Sequence, residues 1–75
     1  DHRVKEDVVR VGETVSGLPV YTFRYKDGYG PPGKYEGVIA QDLLVVRPDA
    51  VVDMPNGYLG VDYSRIDTDL RKVSL

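Results

Sequence analysis

The chain has no cysteine and no tryptophan, and only one histidine, one methionine and one phenylalanine among 75 residues. Without cysteine, disulfides and thiolate zinc sites are excluded. The single histidine, His2, sits at a terminus where mobility is expected. A histidine-based metal site is therefore not expected, and no cofactor is called for. There is no excess of either charge: 10 basic against 12 acidic residues leave a formal net charge of −2. That balance makes no electrostatic case for nucleic acid or an anionic membrane as partner. No apolar run approaches the length that spans a bilayer, and no signal-peptide pattern is present. Internal repeats and low-complexity tracts are absent. A chain this short buries a modest fraction of its unfolded surface, so its own core is marginal. With disulfides and metals removed, oligomerisation is the expected source of further stability.

What is there suggests a small α+β domain spanning residues 1–75. The stretch "RVKEDVVRVG" holds Val4, Val8, Val9 and Val11 and suits either helix or strand, with Gly12 stopping both. "LPVYTFRYK" is the clearest strand: Tyr21, Phe23 and Tyr25 alternate with Thr22, Arg24 and Lys26. Pro19 stands at its start, where a missing amide donor is tolerated. "DGYGPPG" puts three glycines and two prolines into seven residues and reads as a wide surface loop. In "KYEGVIAQDLLVVRPD" the positions Tyr35, Ile39, Leu43 and Val46 share one helical face, and Pro48 ends the helix near Arg47. The β-branched residues there keep a strand open as the second reading. "AVVDMPNGYLGVDY" reads as a hairpin around Asn56-Gly57 that joins the "LPVYTFRYK" strand in one short antiparallel sheet. The tail returns to helical spacing. Tyr63, Ile66, Leu70 and Val73 fall three, four and three apart, which predicts a C-terminal helix over about 62–74 with an apolar seam. Asp62 is a candidate N-cap, and Ser64 with Asp67 resembles a capping box. So short a helix is marginal alone, and its stripe needs a surface to pack on.

Taken in order, "DHRVK", "GVIAQDLLVVRPDAV" and "GYLGVDYSRI" resemble the C-terminal intramolecular chaperone domain of bacteriophage tail spikes and tail fibres. Endosialidase tail spikes are that family's best-known members, and it is also classed as a self-cleaving peptidase. The resemblance covers nearly the whole chain. The family's N-terminal signature is typically Ser-Asp-Arg-Arg-Leu-Lys. Asp1, Arg3 and Lys5 match it in register, Val4 replaces the leucine and His2 the first arginine. The family serine would stand immediately before Asp1. In the family it forms a Ser/Lys dyad, and the precursor cuts itself at the serine. The resemblance therefore implies that Lys5 is the dyad lysine and that Asp1 lies at or beside the cleavage point. It also implies that the chain as given, lacking the serine, does not cleave.

The chemistry sets its own conditions. A serine hydroxyl needs a base, and lysine serves only when neutral, which requires desolvation or a nearby cation. Arg3 is the candidate cation, and a hydrophobic pocket around Lys5 would supply the desolvation. In a straight strand, residues five apart lie on opposite faces about 16 Å apart. Either the backbone bends sharply here or the serine of one chain meets the lysine of another. Attack on the carbonyl before the serine passes through a five-membered ring; cutting after the serine needs another chain or water. Both sides stay open. Gln41 is a candidate site element, more simply read as a structural hydrogen-bond former. The tyrosines are read as core and interface anchors rather than a stacking platform.

Two functions follow. In the first, the domain trimerises through Tyr63, Ile66, Leu70 and Val73, holds three chains of an upstream fibre or spike in register, and is released by autoproteolysis. The slow long-range pairing of β fibres makes such a register-setter useful. Its partners are then two copies of itself and the upstream domain of its own precursor. Its place is the bacterial cytoplasm during phage or prophage assembly. In the second, the domain is a permanent trimeric tip or adhesion module that does not cut.

Overall fold

The computed structural model describes residues 1–73. A 3-10 turn, His2–Val4, leads into strand β1 (Lys5–Glu13). Strands β2 (Pro19–Tyr25) and β3 (Lys34–Gly37) follow, then helix α1 (Ala40–Val46), a second 3-10 turn at Pro48–Ala50, and strands β4 (Val51–Asp53) and β5 (Leu59–Val61). A third 3-10 turn at Tyr63–Arg65 precedes strand β6 (Arg71–Val73). The fold is thus a small α+β arrangement, as the sequence suggests: a four-stranded antiparallel sheet in the order β1-β2-β3-β6, a separate two-stranded β4-β5 hairpin, and one α-helix.

The first segment resolves as strand. Gly12 does not stop it, because β1 runs on to Glu13 and pairs with Pro19 at the start of β2. The β1 register slips twice, between Glu6 and Val9 and between Arg10 and Gly12. Asp7 takes up the first bulge with φ 54°, a conformation that Asp tolerates better than most residues. The β2 strand forms as expected with Phe23 fully buried, but Val20 and Thr22 on its other face are buried as well, while Tyr21 and Tyr25 are half-buried.

The helix starts later than its apolar spacing predicts. Tyr35 belongs to β3, and Val46, the other end of the predicted face, is exposed. Between them Ile39 and Leu43 are buried, and α1 ends before Arg47-Pro48 as expected. Leu18, Val38, Leu43 and Ala50 form the centre of the core under α1, with Val51, Val61, Tyr63 and Ile66 packed against it. The hairpin forms at the expected place, with Gly57 at φ 84° in its turn, but it makes its own sheet against α1 rather than joining β2.

The predicted C-terminal helix does not form. Asp62 does act as an N-cap, accepting from the Ser64 N–H at 3.1 Å, yet it caps only the three-residue turn Tyr63–Arg65. Asp67 is not part of a capping box, because its carboxylate accepts from Ser16 N–H and Ser16 Oγ at 2.8 and 2.9 Å. The segment then extends and adds β6 to the free edge of β3, Val73 pairing with Lys34 and Arg71 with Glu36. A helix of under two heptads cannot repay its nucleation in water, whereas an open sheet edge offers a ladder at once. Residue 74 of the predicted helix lies outside the described residues. The apolar seam is accordingly dismantled: Tyr63 and Ile66 face the core of their own chain, and Leu70 lies against Gly37, 3.0 Å from where a Cβ would stand.

Candidate functional site

Asp1 begins a turn that reverses the chain within four residues. Its carboxylate accepts the Arg3 N–H at 2.9 Å, closing the 3-10 turn, and the Arg3 guanidinium at 3.0 Å (Nε) and 2.6 Å (Nη2). The same carboxylate accepts the Leu59 N–H at 2.9 Å, which fastens the turn to β5. Asp1 is 3% exposed, so a buried anion is fully compensated by four donors. A second tie comes from Gln41, whose Oε1 accepts the His2 N–H at 2.9 Å. His2 is therefore held in a defined turn against the start of α1, not loose at a mobile end. Gln41 thus ties the turn to α1 by one hydrogen bond.

Lys5 lies at the first position of β1, opposite Tyr25, and is 9% exposed. Its Nζ donates to the Asp1 carbonyl oxygen at 3.3 Å. The ammonium stands 4.9 Å from the Phe23 ring centroid and 5.8 Å from that of Tyr25. Among the described residues Lys5 forms no ion pair. Burial lowers its pKa below lysine's usual value, and a hydrogen bond with the Asp1 nitrogen pulls the other way without cancelling that effect. Cation–π attraction to the two rings also favours the charged form, by about 2 kcal/mol in a desolvated setting. The Asp1 α-amino group beside it is pulled from 8.0 down to about 5, by burial first and then by Lys5 and Arg3.

The backbone bend is the geometric point. Lys5 Nζ has come back to the backbone of Asp1, so the chain bends sharply between these two residues. The rings of Phe23 and Tyr25 flank the amine. Arg3 has a different place from the one expected. Its guanidinium is spent on the Asp1 carboxylate and lies 4.8 Å over the Tyr58 ring.

The expected site residues therefore divide. Asp1, Arg3, Lys5 and Gln41 gather around one turn; Tyr63, Ile66, Leu70 and Val73 do not form a common surface. Tyr63 instead donates to Val38 O at 3.5 Å and accepts from Val38 N–H at 3.2 Å, and burial pushes its phenol up to about 12. Sequence reasoning missed Leu59, whose contribution is a backbone N–H and leaves no side-chain signal. It also missed Tyr58 as the platform for Arg3. Phe23 and Tyr25 were discoverable, since the ring-bearing face of β2 had to lie against something. No curated protein and no solved structure matches the chain significantly. The profile of the Peptidase S74 family, described as chaperone of endosialidase, matches residues 1–52, well over half the chain, and with these motifs in place the chain belongs to that family.

Proposed function

We propose that this chain is the C-terminal intramolecular chaperone of a phage-type tail fibre or spike precursor, and that the precursor cuts itself beside Asp1 with Lys5 as general base. The chaperone role is supported by family membership. The observation that carries the chemistry is Lys5: a buried, unpaired amine with a lowered pKa, bent back onto the backbone of Asp1. A serine bonded to Asp1 completes the pair. Neutral Lys5 takes the serine Oγ proton as Oγ adds to the scissile carbonyl. The carbon–nitrogen bond breaks, the leaving amine takes the proton from Lys5, and water hydrolyses the resulting ester. The enzyme acts once, on its own chain.

Trimerisation belongs to the same reading. The apolar surface this fold leaves uncovered includes Val8, Val9 and Val11 on the edge strand β1 and Leu44, Val45 and Val46 on α1, with Val45 85% exposed. Those residues replace the lost C-terminal seam as the expected contacts between copies. The site of action is the bacterial cytoplasm during virion assembly, with the upstream fibre domain as client.

The test is a precursor carrying serine before Asp1. It is expected to split during expression, and Lys5→Ala and Lys5→Arg are both expected to abolish splitting, because arginine keeps the charge and cannot act as a base. Normal splitting by Lys5→Arg overturns the general-base role. An intact wild-type precursor supports a permanent, non-cutting tip module instead.

A further inference from the structure

Beside Lys5 lies a groove of about 250 Å³, walled by Tyr25, Tyr29, Met54, Tyr58 and Leu59, with Asp1 and Lys5 at its inner end. Its walls come from three separate places: β2, the loop after it, and the β4-β5 hairpin. They are held together. Tyr29 and Tyr58 meet edge-to-face at 5.5 Å, and Arg3 braces Tyr58 from the turn. Gly30 lies so close on the face of Tyr25 that a Cβ there would run into the ring. The groove is thus assembled by the loop rich in glycine and proline, whose glycine permits the close approach.

Its chemistry is specific in what it lacks. The one carboxylate at its end is already satisfied by Arg3 and Leu59, and the lysine there is held in a state that resists charge. The remaining walls are mostly apolar, made of aromatic rings, a thioether, aliphatic side chains and Pro31, with phenolic hydroxyls and the Asn56 amide for polar contact. The volume falls below the roughly 300–1,000 Å³ usual for small-molecule sites and suits one or two amino-acid side chains. Asp1 is enclosed by Arg3, Lys5 and Leu59, and its nitrogen lies at Lys5. Asp1 itself lines the groove, so a residue bonded to its nitrogen starts beside it.

We propose that the groove binds the segment of the precursor immediately before the serine, and that it selects an apolar or aromatic side chain at the position preceding the serine. The inference rests on the reading that a serine is bonded to Asp1 and that the cut falls before that serine. The groove fixes the approach of the scissile carbonyl to Lys5, in the way a protease subsite positions its substrate. Met54, Tyr58 and Tyr29 are then specificity residues that do not touch the reacting atoms.

Two measurements separate this from the dyad. The first needs no cleavage. In the full-length precursor with the serine changed to alanine, the Met54 methyl is labelled with carbon-13 and assigned by its loss in Met54→Leu. Nuclear Overhauser contacts from that methyl to the side chain preceding the serine position are expected, with a shift relative to the chain that starts at Asp1. An unshifted methyl without such contacts overturns the groove assignment, whatever Lys5 does. The second is a cleavage series. Met54→Trp, which fills the groove from an exposed hairpin position, and aspartate at the position before the serine are each expected to slow splitting about tenfold or more. Leucine at that position is expected to split normally, and the pH midpoint is expected to stay put in all three. Wild-type rates for Met54→Trp and the aspartate variant, with Lys5→Ala inactive, overturn the groove and leave the dyad standing. Splitting by Lys5→Ala overturns the dyad, and the methyl contacts then decide the groove alone.

Discussion

At the scale of single residues, two neighbours in one turn carry opposite stability assignments. Asp1 has a fully buried carboxylate with four donors. Asp1→Ala strands the Leu59 N–H and frees the Arg3 guanidinium, and is expected to cost about 3 kcal/mol. Urea denaturation midpoints measure this, and a loss below about 1 kcal/mol would show the turn to be held by other contacts. Lys5 is the reverse case. Its amine is desolvated without an anionic partner, so Lys5→Met is expected to hold or raise stability by up to about 1 kcal/mol while removing any cleavage. A clear drop in the denaturation midpoint would mean that ring contacts and the Asp1 carbonyl outweigh desolvation. Much of this pair was legible in the sequence. Lys5 and Asp1 stand out by their register in the "DHRVK" motif, and the need for a hydrophobic pocket follows from lysine chemistry. The pocket's donors were not legible, because a backbone N–H from residue 59 has no letter of its own.

At the scale of elements, sequence reading located an element where its local pattern was strong. Strand β2 and the Asn56-Gly57 hairpin are such cases, as is the end of α1 before Pro48. It failed in the tail, where Tyr63, Ile66, Leu70 and Val73 satisfy helical spacing by coincidence. Two of them are core residues delivered by a turn and an extended segment, and a third packs on Gly37. The competing offer, an open β3 edge and a Ser16 pair of donors for Asp67, exists only in three dimensions. Tyr63 holds that segment to the start of α1 through both polar groups of Val38. Tyr63→Phe is expected to cost about 1–2 kcal/mol with the same far-UV spectrum, since only the hydroxyl contacts are lost. Gly37→Ala is expected to be at least as damaging, because its Cβ would stand 2.6 Å from the Tyr63 oxygen.

At the scale of the whole molecule, pH dependence reports the buried amines. In a chain whose first residue is Asp1, the α-amino group titrates near 5 when folded and near 8 when unfolded. Between those values the unfolded state binds more protons, so stability rises with pH. Lys5, also lowered, adds a slope of the same sign that ends near its unfolded value. The denaturation midpoint is therefore expected to climb from pH 5 to pH 8, and N-terminal acetylation should remove the α-amino part of the climb. A flat profile would place both amines in water. The proposed assembly is the other whole-molecule property to test. Val45→Asp is expected to leave the monomer fold unchanged and to lower the association seen by sedimentation equilibrium. Leu70→Asp, aimed at the seam read from the sequence, should instead disturb the fold itself at Gly37.

The bond from Leu59 N–H to the Asp1 carboxylate joins residues 58 apart. A ribosome makes the first of these well before the second. At roughly 5–20 residues per second, the turn that holds Lys5 against Asp1 waits about 3–12 s for its last donor. During that interval the nascent chain carries the lysine but not the donor that completes its turn. Under the autoproteolytic reading proposed above, an upstream fibre already synthesised is then shielded from early severance by the order of translation, and the cut waits until Leu59 has emerged and docked.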